Sequence, residues 1–183
     1  MRSKSLVAVL LILLLIVGAA VLVLTRGSPL PPIKPAHAPG TYLSRTNAVF
    51  AGYDTPEAAL ESVFYAFFNG DYDAFMPAVL ADQEKSVKSD FGDNPKRFKA
   101  KSRRESAPIR GLSIVARKNI SSDKVELKFE IVANEGRDGT TTNFMIGPMV
   151  KVGKTWKCNF DATSDYKTNW DNGDVVTYTD SHL

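Results

Sequence analysis

An unbroken apolar run near the N-terminus constrains this chain more than any other feature. From Leu6 to Leu24, nineteen residues in all, every residue is apolar apart from Gly18. At ~1.5 Å per residue such a helix spans about 28 Å, close to the ~30 Å hydrocarbon core of a bilayer. A helix buried in a globular domain would carry a polar stripe, and this run has none. Residues 1–25 are therefore predicted to form a transmembrane signal anchor.

A cleaved signal peptide is the alternative interpretation of this run. The apolar region of a signal peptide usually spans only ~7–15 residues, and cleavage after Ala20 would leave the apolar stretch Val21–Leu24 as the new N-terminus. We therefore favour an uncleaved anchor. Because Arg2 and Lys4 precede the run and a single arginine follows it, the N-terminus is expected in the cytoplasm and the rest of the chain in the periplasm or outside the cell. The expected protein crosses the membrane once, with the membrane as a partner through residues 6–24.

A proline-rich segment follows the apolar run. Residues 26–48 contain five of the ten prolines of the chain. Proline lacks an N–H donor and favours polyproline II, which rises ~3.1 Å per residue. We predict a semi-rigid linker between the anchor and a folded domain. A ligand for a proline-binding module is the alternative, since PxxP spacings occur in this segment.

Helix signals dominate the next part of the chain. Thr55 can cap a helix, Pro56 suits the first helical position, and an apolar stripe with 3/4 spacing follows them. Asp71 and Asn94 can cap two further helices, and Pro77 should end or kink the second helix. The sequence predicts about three helices in this region.

After Pro108 the apolar spacing changes to that of strands. Apolar residues alternate with charged residues from Val125 to Ile131, and a similar alternation runs from Thr155 to Phe160. Helices followed by strands indicate an α+β fold. After an N-terminal transmembrane helix, we predict a curved antiparallel sheet wrapped around about three N-terminal helices, in a domain spanning residues 49–161. Residues 162–183 are predicted to form an acidic C-terminal tail or an extra hairpin.

Two segments resemble a known superfamily. The segment TPEAALESVFYAFFNGDYDAF (Thr55–Phe75) resembles the opening of small envelope proteins of the nuclear-transport-factor-2-like superfamily, which includes ketosteroid-isomerase-like domains. The segment GKTWKCNF (Gly153–Phe160) is similar to a late strand of that superfamily. The resemblance spans Tyr53 to Asp161 and implies a cystatin-like cone, in which a strongly bent sheet encloses the first helices, often around an apolar pocket. Because the superfamily includes enzymes, binding proteins and inert partners, the resemblance assigns no activity.

Aromatic residues are concentrated in the predicted helices. Eight of them fall between Phe50 and Phe75. They either line a ligand pocket or fill the core of the cone, as buried aromatic residues commonly do. A cone that is partly filled and partly open satisfies both interpretations. The candidate ligand-binding residues are Phe64, Tyr65, Phe68 and Trp156.

Catalytic groups are scarce in the predicted domain. An isomerase on this scaffold needs a base beside the carbon acid and donors for the oxyanion. Suitable side chains belong to Asp71, Asp73, Tyr65 and Tyr72, but both acids stand where a helix N-terminus favours them. Both histidines lie outside the predicted domain, and the single cysteine, Cys158, is expected to be buried in a strand. We predict no catalytic residue, no metal site and no cofactor.

A basic segment, Lys96 to Arg104, carries six positive charges and no acid. We expect it to contact an anionic surface or the acidic C-terminal stretch, and a solvated helix end is an equally compatible interpretation. Nucleic acid is disfavoured as a partner, because the predicted anchor places this segment outside the cytoplasm and a single aromatic residue interrupts its charges. The candidate contacts are Lys96, Arg97, Lys99, Lys101, Arg103 and Arg104.

Together these features predict a membrane-anchored, non-catalytic module outside the cytoplasm that binds a small apolar ligand or a protein partner. Two alternatives stay open: a ketosteroid-isomerase-like enzyme, and a purely structural envelope protein with a filled core. A cavity with a carboxylate beside a tyrosine would indicate the enzyme, an open apolar cavity the binding module, and a solid core the structural protein. We expect no nucleic-acid partner and leave a homodimer open.

Overall fold

The computed structural model describes residues 30–135, 139–165, 170 and 173–178. Apart from Leu30, these residues belong to one compact unit, Pro31–Leu183. Within them, seven antiparallel strands form one sheet that curls into a half-barrel. β1 to β5 are neighbours in chain order, whereas β6 pairs with β4 and β7 pairs with β2. The strands are β1 (Tyr42–Ser44), β2 (Ile109–Ser121), β3 (Lys124–Glu135), β4 (Gly139–Val152), β5 (Thr155–Cys158), β6 (Ser164–Asp165) and β7 (Val175–Thr177).

The described α-helices all lie between β1 and β2 in the chain. Single 3₁₀ turns follow the second helix, precede the third, and follow β5. The α-helices are α1 (Pro56–Asn69), α2 (Tyr72–Phe75), α3 (Glu84–Phe91) and α4 (Pro95–Ser106), and the 3₁₀ turns are Met76–Ala78, Ala81–Gln83 and Phe160–Ala162.

Both ends of α1 follow from local chemistry. The Thr55 hydroxyl accepts a hydrogen bond from the Ala58 N–H at 3.1 Å, which caps the first turn. Gly70 ends the helix with φ of +68°, a conformation that disfavours residues with a side chain. A Cβ at Gly70 would also lie 2.9 Å from the Lys99 Cα. The glycine therefore both stops α1 and lets it pack closely against α4.

The core lies between α1 and the concave face of the sheet. The strand alternation predicted from Val125 to Ile131 is confirmed, because Val125, Leu127 and Phe129 are buried on this face of β3. From the other side α1 buries Leu60 and Val63 against them. Burial of apolar area on this scale is the dominant stabilising term of such a domain.

The segment that precedes α1 is tied to the helix by a buried carboxylate. The side chain of Glu61 accepts hydrogen bonds from the backbone N–H groups of His37 at 3.0 Å and Val49 at 3.2 Å, and it pairs with the His37 ring at 2.7 Å. These donors compensate the burial of Glu61, which is 2% exposed. Together with β1, they place part of the segment predicted as a linker, 26–48, within the folded unit.

The described part of the C-terminal region adds to the sheet. β7 pairs with β2, and Trp170 packs on Ala116 and Ile146, on the outer face of the sheet. The Trp170 indole N–H donates to the Glu126 carboxylate. This region also contacts α1, because the Tyr178 hydroxyl donates to the Glu57 carboxylate at 2.8 Å.

The predicted fold class needs two corrections. The described residues form four α-helices where about three were expected, because α3 buries only Val87 and carries no apolar stripe in its sequence. The second correction concerns the membrane: no helix among the described residues is long and apolar enough to cross a bilayer, and the segment 6–24 lies outside those residues. The predicted transmembrane helix, signal anchor, single-pass topology and periplasmic or extracellular location therefore have no support in the described part of the chain.

Candidate functional site

An apolar cavity of about 220 Å³ lies between α1 and the concave face of the sheet. α1 forms one wall and strands β2 to β5 form the other, with side chains of α2 and α3 closing one end. The cavity opens to solvent through half-buried residues and is closed at its floor. The floor residues are Leu60, Val63, Phe75, Phe129, Gly147 and Cys158.

Phenylalanine rings dominate the wall of this cavity. Their centroids stand 5.6 Å apart for Phe64 and Phe129 and 5.8 Å apart for Phe67 and Phe91, in edge-to-face arrangements. Such pairs stabilise the packing beyond the area that they bury. The half-buried rim consists of Phe64, Phe67, Phe91, Ile109, Ile131, Met145, Phe160 and Thr163.

Gly147 keeps the sheet side of the cavity open. It pairs with Leu127 across the β3–β4 ladder. A Cβ at this position would lie 3.1 Å from Cε1 of the Phe129 ring, so the ring would have to shift. The glycine thus allows the Phe129 ring to approach β4 closely.

The cavity wall offers almost no proton chemistry. Its one titratable group among the described residues is the Cys158 thiol, and burial raises the pKa of this thiol to about 12, with an opposing hydrogen bond from Thr163. The thiol is therefore neutral near pH 7 and a poor nucleophile. In the described part of the wall, carboxylate, imidazole, amine and phenol groups are absent. Such a wall can bind an apolar group but cannot exchange protons with it.

The structure separates the four predicted ligand-binding residues. Phe64 lines the cavity. Tyr65 points elsewhere and packs near Phe50, with ring centroids 6.3 Å apart. Phe68 and Trp156 are buried in the core, 2% and 5% exposed. The prediction therefore named one wall residue and three residues that lie outside the wall.

The remaining aromatic wall residues were missed by the sequence reasoning. Phe129 and Phe160 occupy apolar positions of alternating segments, a signal that could have found them. Phe67 belongs to the same apolar stripe of α1 as Phe64. Phe91 ends a mostly polar helix, and nothing in the local sequence marks it as part of a site.

The residues suitable for an isomerase lie away from the cavity. Asp71 caps α2 by accepting a hydrogen bond from the Ala74 N–H at 3.0 Å, and Asp73 lies in the first turn of that helix. Burial, aided by the negative charge of Asp71, raises the pKa of Tyr65. Tyr72 packs edge-on against Phe98. Asp71 and Asp73 have the structural roles that their positions in the sequence suggested.

The basic segment forms most of α4, and its charges divide between two sides of the helix. Arg97, Lys101 and Arg104 line a second cleft of about 310 Å³ between α3 and α4. Lys96 and Arg103 lie outside this cleft, as does the remaining basic residue, Lys99. Arg97 pairs with Asp93 at 3.1 Å and Arg104 pairs with Glu105 at 2.9 Å, both at exposed positions.

Metal chemistry finds no support in the part of the chain that the structure describes. Among those residues there is no group of three or more His, Cys, Asp and Glu side chains arranged to hold an ion. His37 is engaged by Glu61, and Cys158 faces the apolar cavity.

Comparisons with known proteins give one structural neighbour. No protein-family model matches the chain, and no curated protein matches it. Among solved structures, the chain is similar to a SEC-C motif containing protein from Rhodopseudomonas palustris, solved in solution. The two share 11% sequence identity and a TM-score of 0.48, over 62% of this chain and 80% of that chain.

Proposed function

We propose that this domain is a non-catalytic module that binds a small apolar ligand in the cavity between α1 and the sheet. The observation that carries the proposal is an open cavity of about 220 Å³ whose described wall is apolar and includes six phenylalanine rings. An engineered apolar cavity of roughly 150 Å³ in another protein stays dry and binds benzene. A larger cavity with similar walls has room for a somewhat larger apolar group.

The two alternatives receive less support from the same wall. A ketosteroid-isomerase-like enzyme needs a base and oxyanion donors at the reacting carbon, and the described wall supplies only a neutral thiol and one hydroxyl, that of Thr163. A purely structural protein needs no cavity, and an unfilled one costs stability. Membership of the nuclear-transport-factor-2-like superfamily stays a prediction, which rests on the motifs Thr55–Phe75 and Gly153–Phe160.

Titration of the full-length protein with toluene and with indole, followed by NMR chemical shifts, tests this proposal. We expect saturable binding with the largest shifts at Phe64, Phe129 and Met145, which line the cavity. Absence of saturable binding of either probe would contradict the proposal.

A matched pair of substitutions on β3 localises the binding. Ile131→Trp places a large ring at the rim of the cavity, whereas Val132→Trp places the same ring on the opposite face of the same strand. We expect Ile131→Trp to weaken toluene binding by about tenfold or more and Val132→Trp to leave it nearly unchanged. Equal effects of the two substitutions would place the binding site elsewhere.

A further inference from the structure

Phe91 belongs to two clefts with different chemistry. Its ring is part of the apolar cavity wall, where it contacts Phe67 edge-on at 5.8 Å. The same residue lines the cleft between α3 and α4. The apolar cavity and this second cleft, which we call the basic cleft, therefore adjoin along one side chain.

The basic cleft carries an excess of positive charge next to that ring. Arg97, Lys101 and Arg104 line it, against one carboxylate, that of Asp90. The Lys101 ammonium lies 5.8 Å from the centroid of the Phe91 ring, and it forms no ion pair with another described residue. A negatively charged group at the Phe91 edge of the cavity would lie within range of this ammonium.

The existing partners of the two arginines are weak competitors for an anion. The pairs Arg97–Asp93 and Arg104–Glu105 join side chains that are largely exposed. Exposed ion pairs contribute only ~0–1 kcal/mol, because water screens both charges. Either guanidinium can therefore turn to a ligand at little cost, and guanidinium groups bind carboxylate and phosphate oxygens with good geometry.

We propose that the ligand is an amphiphilic anion, whose apolar tail fills the cavity and whose headgroup, a carboxylate or phosphate, binds Lys101, Arg104 and Arg97 in the basic cleft. This inference rests on the proposed function and adds the class of ligand to it. Apart from the Cys158 thiol and the Thr163 hydroxyl, the described wall offers no polar side chain and no cation, so the charge of a headgroup inside the cavity would be left unpaired. In the basic cleft, on the other side of Phe91, the headgroup contacts the three cationic side chains and also solvent.

The size of the cavity limits the tail. Its volume of about 220 Å³ lies between the roughly 150 Å³ that holds benzene and the roughly 300–1,000 Å³ of pockets for drug-sized ligands. A medium-length alkyl chain or a single ring system fits this range. Eight-carbon probes are therefore suitable.

The test is isothermal titration calorimetry of the full-length protein with octanoate, octyl phosphate and 1-octanol. We expect at least one of the two anions to bind about fivefold or more tightly than octanol, with a preference that shrinks as salt is added. The better of the two anions identifies the headgroup. Octanol affinity equal to that of both anions would overturn the inference while leaving the proposed function in place, and absence of binding of all three would overturn both.

A matched pair of double variants on α4 separates a specific headgroup contact from general charge. Lys101→Gln/Arg104→Gln removes one lysine and one arginine charge from the basic cleft. Lys96→Gln/Arg103→Gln also removes one lysine and one arginine charge, but from the part of α4 outside the cleft. We expect the first variant to abolish the preference for the anion over octanol and the second to retain it. An equal loss in both variants would assign the preference to net charge and would overturn the inference.

Discussion

Two phenylalanines one turn apart on α1 provide a direct test of which aromatic residues form core and which form the cavity. Phe64 and Phe68 have ring centroids 6.2 Å apart. Phe68 is 2% exposed, and the Arg45 guanidinium lies 5.5 Å from its centroid. Phe64 is half-buried at the cavity rim, where its ring meets Phe129. The same substitution at these two positions should therefore have different costs.

We expect Phe68→Ala to lower the free energy of unfolding by about 3–5 kcal/mol, because it removes a fully buried ring and leaves a closed void. Phe64→Ala should lower it by only about 1–2 kcal/mol, since part of this ring already faces an open cavity and the enlarged space can take up water. Equilibrium urea denaturation of the full-length protein and the two variants measures both values.

Ligand binding provides the second readout for the same pair. The affinity for toluene is measured without urea, where both variants are folded. Phe64→Ala should change this affinity measurably, whereas Phe68→Ala should change it little. Phe64→Leu retains much of the apolar volume and serves as the control for Phe64→Ala. Equal losses of unfolding free energy at the two positions would refute the assignment of Phe64 to the cavity and of Phe68 to the core.

Individual contacts give three further predictions. Gly70→Ala should lower the free energy of unfolding by about 2–4 kcal/mol, because it combines a positive φ with a Cβ placed 2.9 Å from the Lys99 Cα. The control is Gly153→Ala in the same urea experiment, because Gly153 has φ of +64° and open space around a Cβ. This control measures the cost of the backbone conformation alone, about 1 kcal/mol. Glu61→Gln replaces one of the two carboxylate oxygens by an amide NH2 donor, so one of the backbone N–H groups of His37 and Val49 loses its acceptor. We expect the free energy of unfolding to fall by about 1–3 kcal/mol, together with faster proteolysis of residues 31–48. Burial raises the pKa of the Cys158 thiol from 9.0 to about 12, so above about pH 9 the unfolded chain loses this proton before the folded chain does. The free energy of unfolding should therefore fall as the pH rises from 9 towards 12, and Cys158→Ala should reduce that fall.

Spacing patterns predicted the elements whose own sequence determines them. The cap at Thr55 and the apolar stripe that follows it correspond to α1, and the alternation from Val125 to Ile131 corresponds to the buried face of β3. In both cases one face of the element is buried over several turns or residues, so the pattern repeats within a short window. Local sequence is sufficient for such elements.

Elements stabilised by distant contacts could not be predicted in this way. α3 buries a single residue, Val87, and is held by its neighbours and not by an apolar stripe. The stretch from His37 to Val49 enters the folded unit because the backbone N–H groups at its two ends reach the Glu61 carboxylate on α1 and because β1 pairs with β2. No feature of a proline-rich segment indicates that a buried acceptor lies far along the chain.

The candidate site was the least predictable part. Choosing wall residues requires the rotation of α1 against the sheet, which helical spacing does not specify, so Phe64 and Phe68 looked equivalent in the sequence. Phe91 and Phe160 reach the cavity from segments far apart in the chain. The role of Gly147 depends on its distance from Phe129, a quantity that only the folded sheet defines.

The cavity persists because the rings of its wall pack against one another and against Phe98 behind them. Phe75 contacts Phe98 at 4.8 Å and Phe160 at 5.3 Å between centroids, and Phe129 meets Phe64 edge-on at 5.6 Å. If one of these rings moved into the cavity, it would lose those contacts. In a close-packed interior the new contacts of a single shifted ring would compensate little of that loss. A ligand that fills the space gains apolar contacts without displacing a ring, so binding should require little change of shape. The packing that forms the cavity is thus the same packing that shapes it for an apolar group.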